Sequence, residues 1–133
     1  QILSLIKICK ILVTKYKIKN MNIVGHSDVA PLRKIDPGEK FPWKKLAVKK
    51  IGIWHQNKID FLKKFRRVKI SSKKDRVKFI NNLHNIGYCF SNKNHSFTNK
   101  VVKAFQRHYR KELIDGVIDK ECLIIAQNLV KKS

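Results

Sequence analysis

The sequence predicts a small protein of helix and loop: an amphipathic helix at its start, a long ordered loop over residues 25–42, and three short helices after residue 70. Three observations carry this. Apolar residues recur at three-and-four spacing near both ends of the chain. Residues 25–42 hold all three prolines and two of the five glycines, which excludes a helix there. The 133 residues are 43% hydrophobic, enough for a packed core, and too few for more than one or two small units.

The elements follow in order. Ile2, Leu5, Ile6, Cys9, Leu12, Val13 and Tyr16 share one helix face, with Lys7, Lys10, Lys15 and Lys17 on the other side. That stripe needs something to bury against, and the next ten residues do not supply it. The chain also opens on Gln1, with Met21 its only methionine, so it reads as a piece cut from a longer protein. Asn22-Ile23-Val24 is a short β-prone run stopped by Gly25. Residues 43–50 are expected to form a short helix, with Pro42 near its first turn and Gly52 beyond its end. Residues 51–70 carry no clear period. From Ser71 the pattern is helical. Phe79, Ile80, Leu83 and Ile86 line one face, with Gly87 as a stop. Thr98 is expected to cap a helix burying Val101, Val102, Phe105 and Tyr109. Asp115-Gly116 is a turn, and Asp119 caps a last helix burying Cys122, Ile125, Ala126 and Leu129. The boundary falls near residue 70, and residues 71–133 are expected to fold alone.

Charge and cysteines exclude several classes. Cys9, Cys89 and Cys122 cannot all pair and show no CxxC spacing, so neither a disulfide scaffold nor a cysteine-rich zinc fold is expected. Lys7 and Lys10 interrupt the apolar start, which leaves no transmembrane span and points to a soluble protein. The net charge of +22 attracts polyanions. Twenty-five of the 31 basic residues are lysine, however, spread along the chain beside abundant Ile and Asn, as A- and T-rich codons would give. Nucleic-acid sites favour Arg and interleaved aromatics, and only residues 63–69 resemble such a patch. No specific nucleic-acid partner is expected. Anionic polymers of the cell envelope would feel the same field.

The chemistry is concentrated in residues 25–43, Gly-His-Ser-Asp-Val-Ala-Pro-Leu-Arg-Lys-Ile-Asp-Pro-Gly-Glu-Lys-Phe-Pro-Trp. This string places an imidazole, His26, after a β-prone run and a carboxylate, Asp36, ten residues later on a proline-stiffened loop. Both are competent zinc ligands. Lys34 puts a cation two residues before Asp36, where it would lie beside a metal-bound oxyanion. Spacing alone leaves a structural reading of His26 and Asp36 open.

The whole string closely resembles the second zinc-ligand segment of the type 2 N-acetylmuramoyl-L-alanine amidases, zinc peptidoglycan hydrolases related to the peptidoglycan recognition proteins. Gly-His-Ser-Asp, Ala-Pro, Arg-Lys, Asp-Pro-Gly and Phe-Pro-Trp stand in family order, and Leu32 departs where many relatives have a small residue. The resemblance implies an α/β parent fold, a central sheet flanked by helices, of which this chain keeps the C-terminal, mostly helical and loop part over residues 1–70. It implies zinc as cofactor, His26 and Asp36 as ligands, and Lys34 as a catalytic residue stabilising the tetrahedral intermediate. The bond cut would join the lactyl group of N-acetylmuramic acid to L-alanine. The family's first histidine ligand and its glutamate base would precede Gln1, in a missing upstream half that is itself a possible partner. His55, His84, His95 and His108 align with neither and are expected to be core or surface histidines.

Residues 102–110, with Phe105-Gln106, followed by Asp115-Gly116-Val117-Ile118-Asp119, resemble the three-helix peptidoglycan-binding domain attached to some of these amidases. Residues 71–133 are then a wall-binding unit, with peptidoglycan or muropeptide as the expected ligand. The function implied is zinc-dependent hydrolysis of the muramoyl–alanine amide by a chain that alone is inactive. A catalytically inactive peptidoglycan-binding remnant is the alternative. The substrate implies the cell envelope or periplasm, with a cytoplasmic recycling form as the other possibility.

Overall fold

The computed structural model describes residues 1–90 and 95–133, the side chains of 95–97 excepted. Seven α-helices lie in the described residues: α1 (Ile2–Tyr16), α2 (His26–Val29), α3 (Trp43–Val48), α4 (Ile59–Lys63), α5 (Lys73–Ile86), α6 (His95–Tyr109) and α7 (Lys120–Val130).

The α/β expectation is overturned. No β-strand forms among the described residues, and their only isolated β-pairing is an antiparallel bridge between Lys69 and Asp119. Asn22 ends a 3-10 turn at Asn20–Asn22, and Ile23 and Val24 are extended or irregular without a ladder. A strand needs a neighbouring edge to take its hydrogen bonds, and among the described residues none pairs with residues 22–24 in a β-bridge.

Two apolar clusters organise the chain. In the smaller one, Ile6 of α1 packs with Trp43, Leu46 and Ile51, and Ile2, Leu5 and Cys9 support it. The outer half of the stripe behaves differently: Leu12 and Tyr16 are exposed, as are Leu3, Ile8 and Ile11. The reason is length. Six-residue α3 runs ~9 Å, against ~22 Å for fifteen-residue α1, so it covers only the first turns.

The larger cluster joins α5, α6 and α7, with Phe79 meeting Phe105 edge-on at 5.4 Å. Its helix ends follow the sequence. Ser72 Oγ accepts from the Asp75 N–H at 3.0 Å, Gly87 ends α5 at φ 119°, and Asp119 Oδ1 accepts from the Cys122 N–H at 2.9 Å. Thr98 is a correction: α6 begins at His95, so Thr98 lies inside the helix rather than capping it. Truncating a buried ring such as Phe105 would cost about 3–5 kcal/mol.

Residues 51–70 are stitched to α7. Leu62 joins the larger cluster, and Lys120 N–H donates to the Val68 carbonyl at 2.8 Å. Arg66 makes two bonds of 2.8 Å to Glu121, whose carboxylate also meets Arg110. Arg110 pairs in turn with Asp119. Buried charges persist only where paired in this way. Trp54 packs against both apolar clusters and ties them together.

Candidate active site

The loop over residues 25–42 is held from inside. Gly25 sits where an added Cβ would meet Pro37 Cδ at 2.8 Å and Trp43 Cζ2 at 3.1 Å, so only glycine allows the close approach. The expectation of loop throughout residues 25–42 needs one correction: the stretch 26–29 holds no proline or glycine, so His26 opens the one-turn helix α2, and the Ser27 N–H donates to the Asp36 carbonyl at 2.8 Å. That bond draws the two distant stretches together. His26 Nδ1 and Asp36 Oδ2 end 3.1 Å apart, with side chains 49% and 64% exposed. Asp36–Pro37 is a cis peptide.

Lys34 is half-buried on the same loop, its N–H donating to the Ala30 carbonyl at 3.0 Å. No carboxylate lies within ion-pair distance of its ammonium among the described residues. All three sequence-derived residues thus fall on one loop, with His26 and Asp36 in direct contact.

As a donor set, an imidazole nitrogen beside a carboxylate oxygen suits zinc, and both are open to solvent. The set stops at two. No group of three His, Cys, Asp or Glu side chains among the described residues is arranged so that it could hold a metal ion. His55 and His108 are buried and His84 is exposed, as expected of structural histidines, while the side chain of His95 lies outside the described residues.

Asp28 has a role the sequence reading did not assign. It is 6% exposed and accepts three hydrogen bonds: from Gly25 N–H at 2.7 Å, Tyr88 Oη at 2.6 Å and His108 Nδ1 at 2.7 Å. Burial, with the Asp28 carboxylate beside it, pushes the Tyr88 hydroxyl well above its ordinary range, so it remains a donor. Trp43 stacks on the other side of His108 at 3.9 Å. The turn bearing His26 is therefore clamped by His108 of α6 and by Tyr88, just beyond the end of α5. A carboxylate three residues after a helix N-cap is a recognisable capping position, and that was the available signal.

The second motif also gains a physical account. Gln106, fully buried, donates from Nε2 to Asp115 Oδ1 and the Val117 carbonyl, each at 3.0 Å, and accepts from the Gly116 N–H at 2.8 Å. Its amide closes the Asp-Gly-Val turn, which explains why the two short strings belong together.

Over 134 residues, covering 99% of this chain and 48% of the relative, the chain is 35% identical to the N-acetylmuramoyl-L-alanine amidase AmiD of Escherichia coli. A match of 46 residues at 44% identity covers 34% of the chain and 25% of the 1,6-anhydro-N-acetylmuramyl-L-alanine amidase AmpD of Haemophilus influenzae. Among solved structures, AmiD in complex with the substrate anhydro-N-acetylmuramic acid-L-Ala-D-gamma-Glu-L-Lys superposes with a TM-score of 0.85 at 32% identity, covering 99% of this chain and 51% of that one. AmpDh3 of Pseudomonas aeruginosa in complex with anhydromuramic pentapeptide gives 0.82 at 30% identity, covering 98% and 52%. No protein-family model matches the chain. The chain spans about half the length of the relatives it matches over nearly all its residues. Over that span it is homologous to the N-acetylmuramoyl-L-alanine amidases of the AmiD and AmpD type.

Proposed function

We propose that this chain supplies two zinc ligands and a wall-binding unit to an N-acetylmuramoyl-L-alanine amidase acting on peptidoglycan or its muropeptides. The observation that carries this is the contact of His26 Nδ1 with Asp36 Oδ2 at 3.1 Å, on an exposed loop clamped from beneath by Asp28. The relatives it matches are amidases, and two solved neighbours hold muropeptides, which supports the substrate class.

In this reading His26 and Asp36 hold the metal, and a third ligand comes from outside these residues. Zinc so bound would polarise the amide carbonyl and acidify a water. Lys34 places an ammonium beside the oxygen on which negative charge develops, stabilising it electrostatically. Asp28 keeps the His26 turn fixed and excludes rearrangement of the loop. No carboxylate of the described residues joins His26 and Asp36 to act as base, so the chain alone is proposed to be inactive and to bind zinc weakly. Residues 71–133, which hold nearly all of the larger apolar cluster, are proposed as the wall-binding unit, with the division near residue 70. The work is proposed to take place in the cell envelope.

The two-membered donor set favours a second reading, a catalytically inactive wall-binding remnant. One experiment separates them. Zinc content and release of stem peptide from muropeptide are measured for this chain alone and with the N-terminal half of a homologous amidase added in trans. Rescue of cleavage supports the enzyme, and wall binding without rescue supports the remnant. Within a rescued enzyme, Lys34→Ala should lower kcat about a hundredfold with zinc retained, whereas His26→Ala should strip the metal. Equal zinc loss in both variants would refute the division of roles.

A further inference from the structure

His108 stands on α6, 80 residues along the chain from Asp28, and has no part in the chemistry proposed above. Its place is set from within the larger apolar cluster. Val101, Ala104 and Phe105 precede it by seven, four and three residues and are fully buried, so the four share one face of the helix. The residue is 3% exposed, and two rings stack on its imidazole, Trp43 and Tyr109, each with its centre 3.9 Å away. Nε2 is buried without a hydrogen-bond partner among the described residues, so the ring has no open nitrogen with which to ligate a metal itself.

What the ring does offer is Nδ1, which donates to Asp28 Oδ2 at 2.7 Å. The same oxygen accepts from the Gly25 N–H at 2.7 Å, and Oδ1 accepts from Tyr88 Oη at 2.6 Å. Gly25 and Asp28 bracket His26 in the single turn of α2. A four-residue helix is not stable by itself in water, because fixing its backbone costs more than one turn of hydrogen bonds returns. The turn therefore depends on its anchors. Released from Asp28, the backbone at His26 would sample several arrangements, and only some would bring its ring within reach of Asp36. The apparent affinity for a ligand falls with the fraction of chains in the competent arrangement.

We propose that His108 is a positioning residue for the metal site: acting through Asp28, it holds His26 in the arrangement that meets Asp36. The zinc rests on the proposed amidase reading. Residues 71–133 then serve the metal site directly, through His108 and Tyr88, instead of being a separable appendage.

The test titrates the intact chain with zinc chloride and follows the His26 ring by NMR, at a temperature where every variant is folded. His108→Phe keeps a ring in the stack and removes the Nδ1 donor, whereas His108→Asn returns a side-chain N–H near the position of Nδ1. Zinc affinity should fall about tenfold in His108→Phe, the size of effect seen when groups that orient a ligand are lost. It should recover in part in His108→Asn. Tyr88→Phe removes only a hydroxyl, so it serves where His108→Phe does not fold, and it should weaken zinc severalfold. Leu129→Ala, a truncation in the same apolar cluster on α7, is the stability control. It should lower the denaturant midpoint and leave zinc affinity unchanged. Equal weakening in Leu129→Ala would reduce His108 and Tyr88 to scaffold. Unchanged affinity in His108→Phe and Tyr88→Phe would overturn the proposal, and no recovery in His108→Asn would overturn the route through Asp28. Zinc that leaves the His26 resonances unmoved in the parent, or binds His26→Ala equally well, would defeat the metal reading and this proposal with it. Zinc bound through His26 with no response to the His108 or Tyr88 variants would defeat the proposal alone.

Discussion

His26 with Asp36 and His108 with Asp28 are the same two residue types at similar separations, 3.1 and 2.7 Å. Their surroundings are opposite. The first pair stands half in solvent on a loop, while the second is almost wholly buried, stacked beneath Trp43 and shared with Tyr88 and the Gly25 N–H. An exposed pair gains little from its mutual contact, because water screens it and competes for both partners. It is therefore free to exchange that contact for another ligand. A buried pair that lost one partner would leave an uncompensated polar group. Composition alone does not distinguish a site that binds from a site that holds; burial does.

The comparison can be broken from the buried side first. Asp28→Ala removes the acceptor of three donors and should destabilise the protein by about 3–5 kcal/mol, read from denaturant unfolding. Tyr88→Phe removes one of the three and should cost about 1–3 kcal/mol. A loss below half a kcal/mol for Asp28→Ala would show that the cluster is not holding the loop.

A third histidine sharpens the contrast, because His55 is buried with no carboxylate bonded to it. Its folded pKa is lowered, so the unfolded chain binds a proton that the folded chain resists. Its contribution is present above the unfolded value of 6.5 and declines as pH falls below it. Thermal midpoints between pH 8 and 5 should therefore fall more steeply in the parent than in His55→Gln. Parallel slopes would contradict the burial argument. Asp119 acts at lower pH. Burial would raise it, but bonds from the Cys122 and Arg67 N–H groups and from Arg110 hold it below 3.8, so its contribution is lost only as the carboxyl protonates in strong acid.

The smallest effect belongs to the exposed pair. His26→Ala should change stability by less than about 0.5 kcal/mol. The same variant should abolish whatever zinc uptake the chain has, measured by equilibrium dialysis. A large stability loss without a change in zinc would move His26 from the binding site to the scaffold.

Much of this was legible in local pattern. The period of α5, its stop at Gly87, the Asp119 cap and the loop bearing His26, Lys34 and Asp36 all depend on neighbours a few residues apart. What escaped depends on partners far along the chain. Asp28 meets Tyr88 and His108 from 60 and 80 residues away, and Arg66 reaches Glu121 across 55. No period reports such pairs, and charged side chains such as Arg110 and Glu121 read as surface until their partners are seen. The cover of the inner half of α1 escaped for a related reason, since Trp43, Leu46 and Ile51 lie far along the chain from Ile6, while the exposed outer half agrees with a stripe that has no local partner. The α/β expectation failed where the run at residues 22–24 found no neighbouring edge.

The Gln106 clip has a consequence at the level of the gene. Its one amide both donates, to Asp115 and Val117, and accepts, from Gly116. Only a carboxamide of that length does both with that geometry. A single-base change in either glutamine codon leads to Glu, Lys, Arg, His, Leu, Pro, a silent alternative or a stop. Glu loses the donors, Lys and Arg lose the acceptor, Leu and Pro lose both, and the shorter His ring lacks the paired groups. Asparagine, the other carboxamide, is two changes away and a methylene short. The turn between α6 and α7 is therefore held by a residue with no neutral neighbour in the genetic code, and substitutions there should be purged one nucleotide at a time.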